Sequence, residues 1–304
     1  MRRALSALAL VPLGVGCGTS SAVSVDRVVR PAMETGKFAS FRIEMSMTTR
    51  VRGLPGAITT TSAGVVDTRA HRGRMTVDMS DLRTEAMSGL TGDARRAAAR
   101  RLGEAEAWRG EQVIDFSGGR FMMYLRIPAL SRVVKTSKPW IRYDFQKLGG
   151  QAGIDFQQFT QFGAGDPAQA VDYLRSLSGK VVKKGNEEVR GVETTHYHVT
   201  IDLERYPNLV SPKRRGETRK PIDRLIGLTG VKTVPADVWI GDDQFVRKME
   251  YGYSVPVRDN RTGRFWSKQT DVTMELYEFG VPAQVRLPSP DGVFDLAKAI
   301  RESK

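Results

Sequence analysis

FRIEMSM, residues 41–47, alternates apolar and polar side chains without a break. Phe41, Ile43, Met45 and Met47 fall on one side, and Arg42, Glu44 and Ser46 on the other. A repeat of two is the signature of a β-strand with one buried and one wet face. The same period recurs along the chain. Met75, Val77 and Met79 alternate with Arg74, Thr76 and Asp78; Phe121, Met123 and Leu125 share a face within 120–127; Tyr197, Val199 and Ile201 share one within 194–203. Further strands are predicted at 58–67, 111–116, 140–145, 181–189, 236–240, 245–253 and 265–279. In the last two, Phe245, Met249 and Tyr251, then Met274 and Leu276, are expected to face inward. Gly-bearing turns such as Gly53, Pro55 and Gly56 separate the strands, as in an antiparallel meander.

Three stretches interrupt the alternation. Within 81–108, Thr91-Gly92-Asp93 opens a run of strong helix formers with an arginine-rich face, which predicts a helix over 92–107. Residues 149–165 are rich in Gly, Gln and Phe and read as loop. They precede a helix predicted over 166–178, with Asp166 as N-cap, Pro167 in the first turn, Gly179 as stop, and Tyr173, Leu174 and Leu177 on an apolar stripe. Residues 204–234 hold a basic cluster, Lys213, Arg214, Arg215, Arg219 and Lys220, followed by a short amphipathic helix over 221–230 with Ile222, Leu225 and Ile226. With no internal repeat and no linker, one domain is expected over 28–288, and 289–304 reads as a loosely attached tail.

Arg2 and Arg3 precede an uncharged run, ALSALALVPLGVG, that ends at Cys17, the single cysteine in 304 residues. A basic start and a short apolar run make a secretory signal, too short to span a bilayer. The whole resembles a bacterial lipoprotein signal over 1–16, although Leu13 sits four residues before the cysteine rather than three. On that reading Cys17 is the lipid anchor, 17–27 is a flexible tether, and the protein is exported and membrane-held on the outer side, in the periplasm or cell envelope. An ordinary secretory signal with an incidental cysteine is the alternative. One cysteine also excludes disulfides within the molecule and any Cys-cluster metal site. The net charge is +13. For an exported protein that points to anionic headgroups or acidic wall polymers, not to nucleic acid.

Chemistry-bearing patterns are sparse. No G-x-S-x-G elbow, P-loop or H-E-x-x-H occurs. Gly163, Gly165 and Ala168 fit G-x-G-x-x-A only nominally, because Pro167 removes an N–H that a pyrophosphate needs. His196 and His198 share a strand face at a spacing that can hold a metal, but Tyr197, Val199 and Ile201 put them on the wet side. No catalytic residue, metal or cofactor is assigned, and no enzymatic activity is expected. What remains is an inward set rich in methionine: Met45, Met47, Met75, Met79, Met123, Met249 and Met274. Methionine adapts its shape and is favoured where a surface receives flexible apolar partners. A plain β-core would bury the same residues.

Several stretches resemble the LolA-like lipoproteins of actinobacteria, the group that includes LppX and LprG. These are KFASFRIEMSM (37–47), the strand end at Asp67, Arg74-Met-Thr-Val77, EEVRGVETTHYHVTIDL (187–203), PADVWIGDDQFVRKMEYGY (235–253) and TMELYEFGVPAQVRLP (273–288). The resemblance implies an α+β fold: a strongly curved antiparallel β-sheet, an incomplete β-barrel, with helices covering its open concave side. It implies an apolar cavity that takes acyl chains, here lined by the inward residues named above, in a monomeric, non-enzymatic lipid carrier or chaperone. The covering elements would be 166–178 and 221–230, with 92–107 as a possible third, and the basic cluster would meet headgroups or membrane. A β-rich structural or signalling module of the envelope, without a cavity, is the other reading.

Overall fold

The computed structural model describes residues 21–35, 37–51, 56–117, 121–144, 174, 177–209, 212–258 and 265–302. Alternation does what the sequence predicts. Among the described residues thirteen strands form one open sheet, in the order β1-β8-β9-β10-β11-β12-β2-β3-β4-β5-β6-β7-β13. One meander comprises β2 (Ser40–Val51), β3 (Ala57–Asp67), β4 (Arg72–Asp78), β5 (Arg109–Asp115), β6 (Met122–Arg126) and β7 (Trp140–Asp144). The other comprises β8 (Leu177–Val189), β9 (Val192–Asp202), β10 (Thr233–Gly241), β11 (Val246–Arg258) and β12 (Phe265–Tyr277). They meet where β12 pairs antiparallel with β2, Met274 opposite Met45 and Leu276 opposite Ile43.

The first and last of the described strands occupy the two edges. β1 (Ser21–Val23) pairs with β8, Ser21 opposite Lys183. β13 (Val293–Asp295) lies parallel to β7. Both findings correct the sequence reading. The segment expected as a tether to residue 27 joins the sheet at Ser21. The tail expected to be loose supplies an edge strand and a helix, Leu296–Glu302, and Arg142 of β7 pairs with Asp295. A further helix, α1 (Asp26–Thr35), buries Val28, Pro31, Ala32 and Thr35, a stripe at helical spacing. Thr35 fixes its end: its hydroxyl donates to the Pro31 carbonyl (2.8 Å) and accepts the Val246 N–H (2.9 Å).

Strand direction puts the helices together. α2 (Ser80–Ala86) and α3 (Gly92–Leu102) lie between β4 and β5, α4 (Pro128–Val133) between β6 and β7, and α5 (Tyr206–Leu209) and α6 (Pro212–Thr229) between β9 and β10. In an antiparallel meander these connections all emerge at the same end. Among the described residues, the opposite end carries short turns at 68–71, 190–191 and 242–245. Arg190 and Gly191 both have positive φ (51° and 76°), the conformation a two-residue hairpin turn requires.

The main core lies on the inner face, where Ile43, Met75, Met249 and Met274 are at most 2% exposed, and α1 contributes Val28 and Ala32 to it. A second cluster continues it under the helices, joining Val77, Trp108, Leu125, Ile127 and Ala129 to Leu82 of α2 and Leu102 of α3. α3 buries no residue fully, so the helix expected over 92–107 rests on the fold by its end and not by a face. A third cluster sits on the outer face, where Val285 and Leu287 cover Val113 and Tyr124. Glycine permits one close approach of neighbouring strands. A Cβ on Gly64 would strike the Arg74 carbonyl oxygen and come within 2.6 Å of the Met75 Cα, so only glycine lets β3 and β4 close in here.

Candidate functional site: the inner face of the sheet

Cross-strand register assembles the inner face in rows. One runs Tyr197, Val238, Met249, Met274, Met45, Ser62 and Val77 across β9, β10, β11, β12, β2, β3 and β4. The next runs from Leu276 through Ile43, Gly64, Met75, Gln112 and Leu125 to Ile141. A third joins Val199, Ala236, Tyr251, Val272 and Met47. Three methionines thus stand side by side at the seam of the two meanders, on unbranched side chains that adapt their shape.

Most residues expected to line a cavity are brought together here. Phe41, Ile43, Met45, Met75, Phe121, Leu174, Leu177, Tyr197, Val199, Ile201, Met249, Tyr251, Met274 and Leu276 belong to the main core, with Met47 and Met123 packed against it. Val77 and Leu125 belong to the second cluster, against which Met79 packs. These side chains rest on one another, on α1 and on Ile222 of α6. A depression of about 320 Å³ opens on the outer side, among Glu44, Thr61, Ala63, Thr76, Asp78 and Arg109.

Phe245 is a correction. Between Trp239 and Ile240 the β10–β11 register shifts, a bulge that reverses the inward parity of β11, so Val246 is the buried residue. Phe245 packs edge-on against Phe38 (4.9 Å between ring centroids) and near Phe279 (5.4 Å). The helix expected over 166–178 falls mostly outside the described residues, Tyr173 with it. Leu177 opens β8 opposite Ile201, so the strand begins where the helix was expected still to run. The helix expected over 221–230 starts earlier, at Pro212, and takes in the basic cluster. Arg215 and Lys220 are exposed and Arg219 donates to Asn208 Oδ1 (2.6 Å). The side chains of Lys213 and Arg214 lie outside the description, as do residues 1–20 with Cys17.

His196 and His198 are on the outer face, as the alternation predicts. His196 bridges two carboxylates, its Nε2 lying 2.8 Å from Asp237 Oδ1 and its Nδ1 2.9 Å from Glu187 Oε1, and it stacks on Trp239 with centroids 4.2 Å apart. His198 Nδ1 is 3.1 Å from the same Asp237 oxygen. Trp239 Nε1 donates to Glu187 Oε2 (2.9 Å), and this bond, then the His196 contact, holds the Glu187 carboxyl below the usual range. Both His196 nitrogens and His198 Nδ1 are engaged with carboxylates, and among the described residues no three His, Cys, Asp or Glu converge as metal ligands would.

Sequence reasoning missed the polar end of the inner face. Alternation back along β12 from Leu276 passes Met274, Val272 and Thr270, each at most 1% exposed, and arrives at Lys268. Tyr253 stands opposite Thr270, and Thr49 on its other side. Burial pushes the Tyr253 phenol up to about 12 and the Lys268 ammonium down to about 8. The same count of two that placed Met274 and Leu276 inside would have found Lys268.

No family model matches the chain. It is 30% identical over 171 residues to an uncharacterized 31.2 kDa protein in the rplA–rplJ intergenic region of Streptomyces griseus, a match covering 54% of this chain. The chain spans about half the length of that curated relative, 50%. Among solved structures it is similar to the Mycobacterium tuberculosis lipoprotein LppX, with TM-score 0.43 and 13% identity, covering 86% of this chain and 98% of that one. It is similar also to LprF from Mycobacterium bovis, with TM-score 0.39 and 11% identity, covering 88% and 100%. A LolA superfamily protein from Nitrosomonas europaea follows with TM-score 0.27 and 10% identity, covering 87% and 96%.

Proposed function

We propose that this protein is an exported, membrane-anchored lipoprotein that binds acyl chains of a lipid or acylated ligand on the inner face of its curved sheet, without catalysing a reaction. One observation carries the reading. Long apolar side chains (Met45, Met249, Met274, Tyr197, Tyr251) stand together on one face of four strands, in two adjacent rows of the cross-strand register. Magnitudes let an acyl chain compete for that face. Among its described side chains α6 buries Ile222 and packs Ile226 on the core, contacts worth roughly 1.5–3 kcal/mol each. A sixteen-carbon acyl chain brings on the order of 12 kcal/mol of burial to the same surface.

The lipoprotein-like start supports the anchor. Four residue steps separate Cys17 from Ser21, a reach of about 14 Å, so an acylated Cys17 would hold the β1–β8 edge close to the bilayer. Lys183 and Lys184 are exposed on that edge, and each adds about 1 kcal/mol of attraction to anionic headgroups.

Burial of the inner-face side chains favours one other reading, a β-rich structural or signalling module with a solid core. Lipid uptake separates the two. Native mass spectrometry of protein purified from its own membranes should show co-purified lipid, and delipidated protein should take up a fluorescent fatty acid. A protein that does neither is the solid module.

A further inference from the structure

The inner face is amphipathic along its length. On β12 the inward side chains run Leu276, Met274, Val272, Thr270 and Lys268, the first four at most 1% exposed. The neighbours change in step. On β2 the series is Ile43, Met45, Met47 and Thr49; on β11 it is Met249, Tyr251 and Tyr253. A hydroxyl row, Tyr253, Thr270 and Thr49, therefore closes the apolar rows. One level further out Lys268 sits opposite Val255 on one side and Val51 on the other. Met274 and Lys268 are six residues apart, about 20 Å along the strand. Lys268 lies three residues into β12 from the β11–β12 connection, at the end of the sheet where α6 also emerges.

We propose that Lys268 docks the anionic headgroup, a carboxylate or a phosphate, of an amphiphile whose apolar part lies along β11, β12 and β2. The assignment rests on the lipid-binding reading above and adds the polarity and orientation of the ligand. An ammonium at the boundary of an apolar surface is poorly hydrated, as its depressed pKa of about 8 records, and it still carries its proton at neutral pH. A headgroup oxygen placed there accepts a charge-assisted hydrogen bond in a medium less polar than water. The Tyr253 and Thr270 hydroxyls lie on the acyl side of that contact, where a headgroup's ester oxygens would fall.

Four probes and two variants test this on the delipidated full-length protein. cis-Parinaric acid is compared with its methyl ester, and a fluorescent phosphatidic acid with the matching diacylglycerol. The unaltered protein should bind the charged member of at least one pair about tenfold tighter, and the pair that shows the preference tells carboxylate from phosphate. Lys268→Met should bring that ratio close to one without weakening the neutral member, and Lys268→Arg should keep it. No charge preference in either pair, or one that survives Lys268→Met, overturns the assignment and leaves the lipid reading standing. If the unaltered protein takes up none of the four probes, both fall. The ratio in the unaltered protein decides by itself should Lys268→Met fail to fold.

Discussion

Arg190 lies with its guanidinium carbon 4.2 Å from the centre of the Tyr277 ring, although β10 and β11 separate their strands in the sheet. The arginine belongs to the β8–β9 turn. From there it reaches the outer face at the seam of the two meanders, donating to Glu275 (2.7 Å) and pairing with Glu44. Those two glutamates are cross-strand neighbours, so without Arg190 like charges would face each other where β12 meets β2. The pairs are partly exposed and individually weak, but the stacked guanidinium joins them into one contact. Arg190→Ala should destabilise the fold by about 1 kcal/mol, lowering Tm by a few degrees. Adding Glu44→Gln should recover part of the loss. Thermal melts of the single and double variants measure both.

Gly64 should tolerate no side chain. A Cβ there meets backbone, the Arg74 carbonyl and the Met75 Cα, which cannot swing aside as a side-chain tip can. Gly64→Ala is expected to cost about 1–3 kcal/mol or more. Gly185→Ala, where a Cβ meets open space, is the control and should stay within about 1 kcal/mol. Denaturant midpoints of the two variants give the comparison.

Met274 is 0% exposed and faces Met45 and Met249 on either side. Met274→Ala should remove about 2–5 kcal/mol of stability by leaving a cavity at the seam. On the lipid reading, saturating fatty acid should restore part of that loss. Urea titrations with and without ligand test both expectations.

Lys268 gives stability an unusual pH slope. Its ordinary value is 10.5 and its value in the fold about 8, so between these limits the unfolded chain binds the extra proton. Unfolding in that window takes up a proton, so raising the pH disfavours it and stability increases with pH. The gain should be at most about 2 kcal/mol from pH 8 to about pH 9.5. Above about pH 10 the tyrosines act in the opposite sense: Tyr253 keeps its proton to about 12 in the fold, so ionisation favours the unfolded chain. Urea midpoints at several pH values should therefore rise and then fall, and Lys268→Met should remove the rise alone.

Alternation carried most of the sheet because one face is buried along its length, so most of its inward positions are apolar. Phe41 to Met47 and Tyr197 to Ile201 could be read for that reason. Elsewhere a local rule competed. In α1 the stripe Val28, Pro31, Ala32 and Thr35 was present, but Pro31 in mid-helix argued for a break. Phe245 kept the right period and took the wrong face, because a bulge is one residue of slip that leaves no mark in composition. Leu177 fitted the helical stripe, and its pairing with Ile201 is a contact that local sequence does not contain. Val293 to Asp295 is too short to show a period, and its partner β7 lies about 150 positions earlier. The candidate site was legible in its apolar part and missed at its charged end, because the inward residues were gathered for their greasiness and Lys268 was not.

Both margins of the sheet are finished by short segments far apart in the sequence, Ser21–Val23 on one border and Val293–Asp295 on the other. Those short segments act as hems. Material trimmed to begin at residue 28 would bare the amide and carbonyl groups of 181–183 on β8, and an unhemmed border pairs readily with a second molecule. Recombinant versions meant to stay single in solution should therefore keep the residues just after the cysteine.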